Sequence, residues 1–156
     1  MPPTRTPQPD KVPRIKGPAV PPRETAPSEA KSRNMRAVRS KNTKPEYVVR
    51  RLAHALGYRF RLHQKDLPGR PDVVFPGRKA VILVHGCFWH GHDCAKGQKR
   101  PSTNRAFWDA KLDGNRARDM RDEAALRAAG WRVLVVWECE TKDKSVLEGR
   151  LRAFLA

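Results

Sequence analysis

Acidic residues are scarce in this chain of 156 residues: 16 Asp and Glu stand against 33 Lys and Arg. The resulting net charge of +17 disfavours a cationic partner and points to a polyanion, of which nucleic acid is the usual one. Cysteine is also sparse, and its count of three is odd. That number argues against a secreted disulfide framework and for metal-bound thiolates in a reducing compartment. No run approaches the ~18 apolar residues of a membrane span, and the opening residues lack the apolar stretch of a secretory leader. The expectation is therefore a cytoplasmic protein. A hydrophobic share of 38% supports one core but is low for the full length, so one domain with a disordered extension is expected.

The extension is easily placed, because nine of the 14 prolines fall in residues 1–33, which hold few bulky apolar side chains. Such a segment cannot offset its ordering entropy, and we read it as a disordered basic tail preceding a single domain over 34–156. Within that domain, Thr43-Lys44-Pro45-Glu46 reads as a capping box opening a helix through Val48, Leu52, Ala55 and Leu56, which stops at Gly57. Tyr58 to Leu62 alternates apolar and basic residues, the pattern of a half-buried strand. Val73-Val74-Phe75 and Lys79 to Val84 flank a Pro76-Gly77 turn, which predicts an antiparallel hairpin. A long helix capped by Ser102 or Thr103 runs to Ala129 and carries several arginines. Trp131 to Trp137 is apolar enough to be a central strand, and Ser145 to Ala156 closes the chain as an amphipathic helix. The order helix, three strands, helix, strand, helix predicts a mixed α/β sandwich.

Ten residues, His85 to Cys94, hold two of the three cysteines and three of the five histidines. They follow the apolar run Ala80 to Val84, so the cluster sits at the end of a buried strand. Cys139 ends the other buried strand, and pairing of the two strands would bring it beside Cys87 and Cys94. Three thiolates and one imidazole then complete a structural zinc site. His92, between the two thiols, suits the fourth place best, and spacing alone leaves His90 as the alternative. The remaining imidazoles, His85 among them, are natural general acid–base groups. Asp72, at the start of the paired strand, is a hard oxygen ligand suited to Mg²⁺. A carboxylate, a metal and a neutral histidine near a basic surface together suggest phosphodiester hydrolysis. The adjacent aromatics Phe88 and Trp89, in a polar metal-bound loop, suit a wedge between base steps.

Leu67-Pro68-Gly69-Arg70-Pro71-Asp72, the run Val84 to Cys94, Phe107-Trp108, and Gly130 to Cys139 resemble the very short patch repair endonucleases. With Asn34 to Glu46 they span nearly the whole domain. The resemblance implies a restriction-endonuclease-like mixed sheet flanked by helices, with a structural zinc site. It implies a Mg²⁺-dependent nick in double-stranded DNA, 5′ to the thymine of a T:G mismatch left by deamination of 5-methylcytosine. Asp72 would bind Mg²⁺ together with the backbone carbonyl of Val84. His90 would be the general base, with His85 and Glu46 assisting around the metal's water shell. Zn²⁺ would be held by Cys87, His92, Cys94 and Cys139. Phe88 and Trp89 would intercalate from the major groove, and Met35 would wedge from the minor-groove side. The commoner nuclease pattern puts a second acid and a lysine on the strand after the first Asp. Lys79 to Val84 has no acid, and no lysine at its end, so His85 and His90 stand in for them. The expected form is a nucleoid-associated monomer with no membrane partner. The rival readings are a restriction-type nuclease indifferent to mismatches and a zinc-stabilised DNA-binding protein without catalysis.

Overall fold

A computed structural model of the chain describes residues 19–23, 25–26, 28–38 and 40–156. The sheet has four strands in the order β1 (Arg61–Leu62), β2 (Val73–Phe75), β3 (Ala80–His85) and β4 (Arg132–Trp137). β1 and β2 run antiparallel, β2 and β3 form the expected antiparallel hairpin, and β3 pairs parallel with β4. A parallel neighbour requires a long crossover. The chain makes it through the short α3 (Cys87–His90) and the long α4 (Arg105–Ala128).

The period of two along the strands divides the apolar side chains between two faces. Val73, Phe75, Ala80, Ile82 and Val136 pack with Val49 and Ala53 of α2 (Lys44–Ala55) and with Leu147, Leu151 and Leu155 of α5 (Lys144–Leu155). Val74, Val81, Leu83 and Val133 pack on the opposite face with Leu126 of α4. The result is the expected mixed α/β sandwich, with α2 and α5 on one side and α4 on the other. Fully burying a Leu or Val in either layer contributes about 1.5–3 kcal/mol. Among the described residues, no helix is long and apolar enough to cross a membrane.

Several local expectations are corrected. The strand expected over Tyr58 to Leu62 is reduced to Arg61 and Leu62, paired with Val74 and Val73. Extending that register would set Arg59 opposite Pro76, which has no N–H to give the ladder. The rings of Tyr58 and Phe60 still reach the core, edge-on to Phe75. The cap of α4 is Asn104, neither Ser102 nor Thr103; its side chain is spent on Thr25, accepting from the Thr25 amide at 2.9 Å. α1 (Glu29–Ala37) spans the expected boundary at Asn34 and is capped by the Ser28 hydroxyl, which accepts from the Lys31 amide. The disorder expected of the tail falls, at residues 1–18, 24 and 27, outside the described residues.

Candidate active site

The parallel register sets the site. His85 lies opposite Trp137, so Cys87 and Cys139, each two residues further on, emerge side by side. The Cys139 amide donates to the Cys87 sulfur at 3.4 Å, and His92 Nδ1 lies 3.5 Å from the Cys139 sulfur. The ligand atoms of Cys87, His92, Cys94 and Cys139 all fall within 4.8 Å of one another. A tetrahedral zinc with bonds of about 2.3 Å to sulfur and 2.0 Å to nitrogen needs ligand separations of about 3.5–3.8 Å, which this donor set fits closely. Burial pushes the Cys87 thiol up to about 12, whereas the His92 hydrogen bond and the Gly97 amide draw Cys94 down to about 6. The loop closes tightly around this cluster: a Cβ at Gly97 would stand 2.0 Å from the His92 carbonyl oxygen. Glycine is the residue this close backbone approach demands.

Beside the cluster, α3 carries Phe88, Trp89 and His90 in one turn. His90 Nδ1 lies 2.6 Å from a carboxylate oxygen of Asp119 on α4. A carboxylate only accepts, so Nδ1 carries the proton and Nε2 is left as a base. The His85 ring stacks on His90 with centroids 4.0 Å apart. Burial holds His85 down at about 4, with His90 adding to the effect, so His85 is neutral at pH 7.

Asp72 completes the array from the residue just before β2. The Val84 amide donates to its Oδ2 at 2.7 Å, which ties the carboxylate to the end of β3. Burial lifts the Asp72 carboxyl to about 6 despite that hydrogen bond, with Glu46 adding a smaller push. Glu46 is buried and closes the capping box, accepting from the amides of Asn42 and Thr43, and it also holds Arg50 at 2.6 Å. Its oxygens stand near His63, which in turn faces Asp72, so Glu46, His63 and Asp72 form a second cluster of ligand type.

Comparisons with known proteins identify the family and the fold. The model of the DNA mismatch endonuclease Vsr family matches residues 25–96. The type II nicking enzyme V.XorIIP of Xanthomonas oryzae pv. oryzae is 61% identical over 78% of this chain and 88% of its own length. The DNA mismatch endonuclease Vsr of Escherichia coli is 43% identical over 75% of this chain and 74% of its own. The chain belongs to the DNA mismatch endonuclease Vsr family. Among solved structures, the catalytic domain of the homing endonuclease I-Bth0305I shares the fold, with a TM-score of 0.52 at 20% identity over 72% of this chain and 94% of that domain.

As a member of the Vsr family the chain is an endonuclease, and its expected site residues can be placed. Asp72, Val84, His85 and His90 converge at the ends of β2 and β3, and the three cysteines meet with His92. Phe88 and Trp89 are half-buried and pack edge-on to each other and against Trp108, with Lys111 over the Trp89 ring. Met35 lies on α1, half-buried. Sequence reasoning missed three residues. Asp119 sits on a helix read only for its arginines, and nothing in its spacing separates it from Asp109 or Asp122. Arg50 lies on α2 outside the apolar face Val48, Leu52, Ala55 and Leu56, yet it is buried. His63 follows an alternating strand pattern and looked like a loop residue; its positive φ of 47° turns its ring inward between Glu46 and Asp72.

Proposed function

We propose that this enzyme is a Mg²⁺-dependent, strand-specific endonuclease that nicks double-stranded DNA 5′ to the thymine of a T:G mismatch, initiating very short patch repair. The observation that carries the reading is the convergence of a fixed carboxylate and a polarised imidazole at one strand end. Asp72, just before β2, is held by the Val84 amide near the end of β3, and His90, on α3 just after β3, is held by Asp119 of α4.

The residues divide the work. Asp72, with the Val84 carbonyl, would hold Mg²⁺, which supplies charge stabilisation to the phosphoryl group. His90 Nε2, with its partner nitrogen protonated and bound to Asp119, accepts the proton of the attacking water. The attack at phosphorus breaks the bond to the 3′ oxygen and leaves 3′-hydroxyl and 5′-phosphate ends. His85, neutral and stacked on His90, fixes the plane of the base and offers a donor to the phosphate or to its bound water. Glu46, at the start of α2, would help order the water around the metal site. Cys87, His92, Cys94 and Cys139 would hold Zn²⁺ as a scaffold that ties α3 to the end of β4. That clamp aims Phe88 and Trp89 at the base stack, where insertion beside the mismatch costs a few kcal/mol of unstacking and opens the duplex. Met35 of α1 would meet the same step from the minor-groove side. The surplus of Lys and Arg supplies phosphate contacts.

Nicking of a mismatched duplex with and without added Mg²⁺, by the parent and by Asp72→Ala, tests the assignment. The parent should turn over only with Mg²⁺, and the variant should be inert. Parent-like nicking by Asp72→Ala would remove Asp72 from the metal site.

A further inference from the structure

We propose that His63 is a positioning residue for Asp72, set in place by Arg50, and that it is not a metal ligand. This rests on the reading of Asp72 as the metal carboxylate given above. The cluster Glu46, His63 and Asp72 has the compactness of a three-ligand cation site, so the two roles must be separated by chemistry.

Arg50 separates them. Its guanidinium is buried, with Nη1 donating to the Asn42 side chain at 2.9 Å and Nη2 donating to Glu46 at 2.6 Å. Nη2 also lies 3.0 Å from Nε2 of His63. Arginine has donors only, so Nε2 must be the accepting nitrogen of a neutral imidazole, and the ring proton sits on Nδ1. The alternative tautomer would set N–H against N–H at 3.0 Å. Nδ1 is the nitrogen that faces Asp72, 3.9 Å from Oδ1. It therefore presents a proton to the carboxylate and has no lone pair to give a cation. At 3.9 Å the contact is longer than a direct hydrogen bond; it is a fixed dipole that biases Oδ1, within reach of one bridging water.

The two oxygens of Asp72 are thus treated differently. Oδ2 is tied by the Val84 amide at 2.7 Å, and Oδ1 faces the His63 N–H. The backbone reinforces the arrangement: the His63 amide donates to the Asp72 carbonyl at 3.4 Å, while His63 holds a left-handed φ that L residues seldom adopt. Glu46, Arg50, His63 and Asp72 form one chain of contacts from the start of α2 to the start of β2. Groups that orient a metal ligand in this way commonly change affinity or activity by about 10–100-fold when removed.

Three substitutions at one position test the polarity of this chain. Gln offers a carbonyl to accept from Arg50 and an amide to donate toward Asp72, as the imidazole does. Glu matches Gln in size but only accepts, and Ala offers neither group. The assay is single-turnover nicking of a T:G duplex at saturating enzyme in Mg²⁺ and in Mn²⁺. Duplex affinity and thermal unfolding are followed alongside, and Asp72→Ala is run in parallel. We expect His63→Ala and His63→Glu to slow the nick about 10–100-fold and His63→Gln to restore it to within about threefold. Duplex affinity should stay within about twofold, and the Mn²⁺ to Mg²⁺ rate ratio should match the parent's. A parent-like Ala variant, rescue by Glu equal to that by Gln, no rescue by Gln, or a changed Mn²⁺ to Mg²⁺ ratio overturns the proposal; the last identifies a ligand, because imidazole favours the softer ion. Because Gln and Glu have equal reach, a loss in Glu that Gln does not share, with matched unfolding midpoints, reports the missing donor and the added charge and excludes misfolding, while the loss in uncharged Ala isolates the missing hydrogen-bonding groups. An inert Asp72→Ala beside a fast His63→Ala removes only the positioning role of His63, whereas a fast Asp72→Ala removes the metal-site reading as well.

Discussion

Asp72→Asn should make the metal-free site more stable while abolishing nicking, and the structure fixes the size and pH dependence of the gain. Burial lifts the Asp72 carboxyl from an ordinary 3.8 to about 6. A raised carboxyl means that ionising Asp72 is harder in the fold than in the unfolded chain. Its contribution to stability is therefore fully present below about pH 4 and is lost as the pH rises toward 6, beyond which the loss is constant. A shift of about two units corresponds to about 3 kcal/mol at pH 8, and roughly half of that at pH 5. Asn keeps an oxygen to accept from the Val84 amide, as Asp72 Oδ2 does at 2.7 Å, and carries no charge at any pH; its amide nitrogen would then face the His63 N–H, so about 3 kcal/mol is the upper bound of the gain. Without added Mg²⁺, then, the variant should unfold up to about 3 kcal/mol later than the parent at pH 8, a rise in Tm of at most roughly 6–12 °C for a chain of this size. The assay is urea and thermal unfolding of both proteins, zinc-loaded, between pH 5 and 8. Added Mg²⁺ should narrow the gap by stabilising the parent alone. Equal stabilities at pH 8, or a gap that ignores pH, would refute the account of Asp72 as a charge held out of water for a cation.

Other perturbations reach the remaining parts of the site. Asp119→Asn removes the carboxylate that fixes the His90 tautomer at 2.6 Å, and should lower the single-turnover nicking rate at least about 100-fold with duplex affinity unchanged. Gly97→Ala would drive a Cβ to 2.0 Å from the His92 carbonyl; the protein should hold well under one zinc per chain by mass spectrometry, with a lowered Tm. Phe88→Ala should cut the preference for a T:G duplex over its T:A counterpart about tenfold, as lost stacking of about 1–3 kcal/mol implies; an unchanged preference would end the wedge role.

Periodicity and turn chemistry made most of the fold legible. The Val73–Phe75 and Ala80–His85 hairpin follows from Pro76-Gly77, and α2 begins at its capping box and ends before Gly57. The parallel register of β3 and β4 was open in the sequence, but it was the condition under which Cys139 could join Cys87, and the fold meets it. Less was legible where one residue acts through a partner far along the chain. Asp119 reaches His90 across 29 positions, and His63 meets Arg50 across 13, with no local pattern to mark either pair. Glu46 shows why one motif can hide a second role: the capping box is satisfied, and the same carboxylate also holds Arg50 and faces His63. Asn104 shows the converse, since its capping side chain is turned to Thr25, a contact outside the helix altogether.

The central claim is that the Asp72 and His90–Asp119 arrangement cuts one strand at a T:G mismatch. Its most direct test is to map the product of the purified protein on paired duplexes that differ only in T:G against T:A, in Mg²⁺ and with randomised flanking bases. The account predicts a single nick 5′ to the mismatched thymine, with 5′-phosphate and 3′-hydroxyl ends and an intact opposite strand. Equal cutting of the T:A duplex, or cleavage of both strands at the same rate, would contradict it.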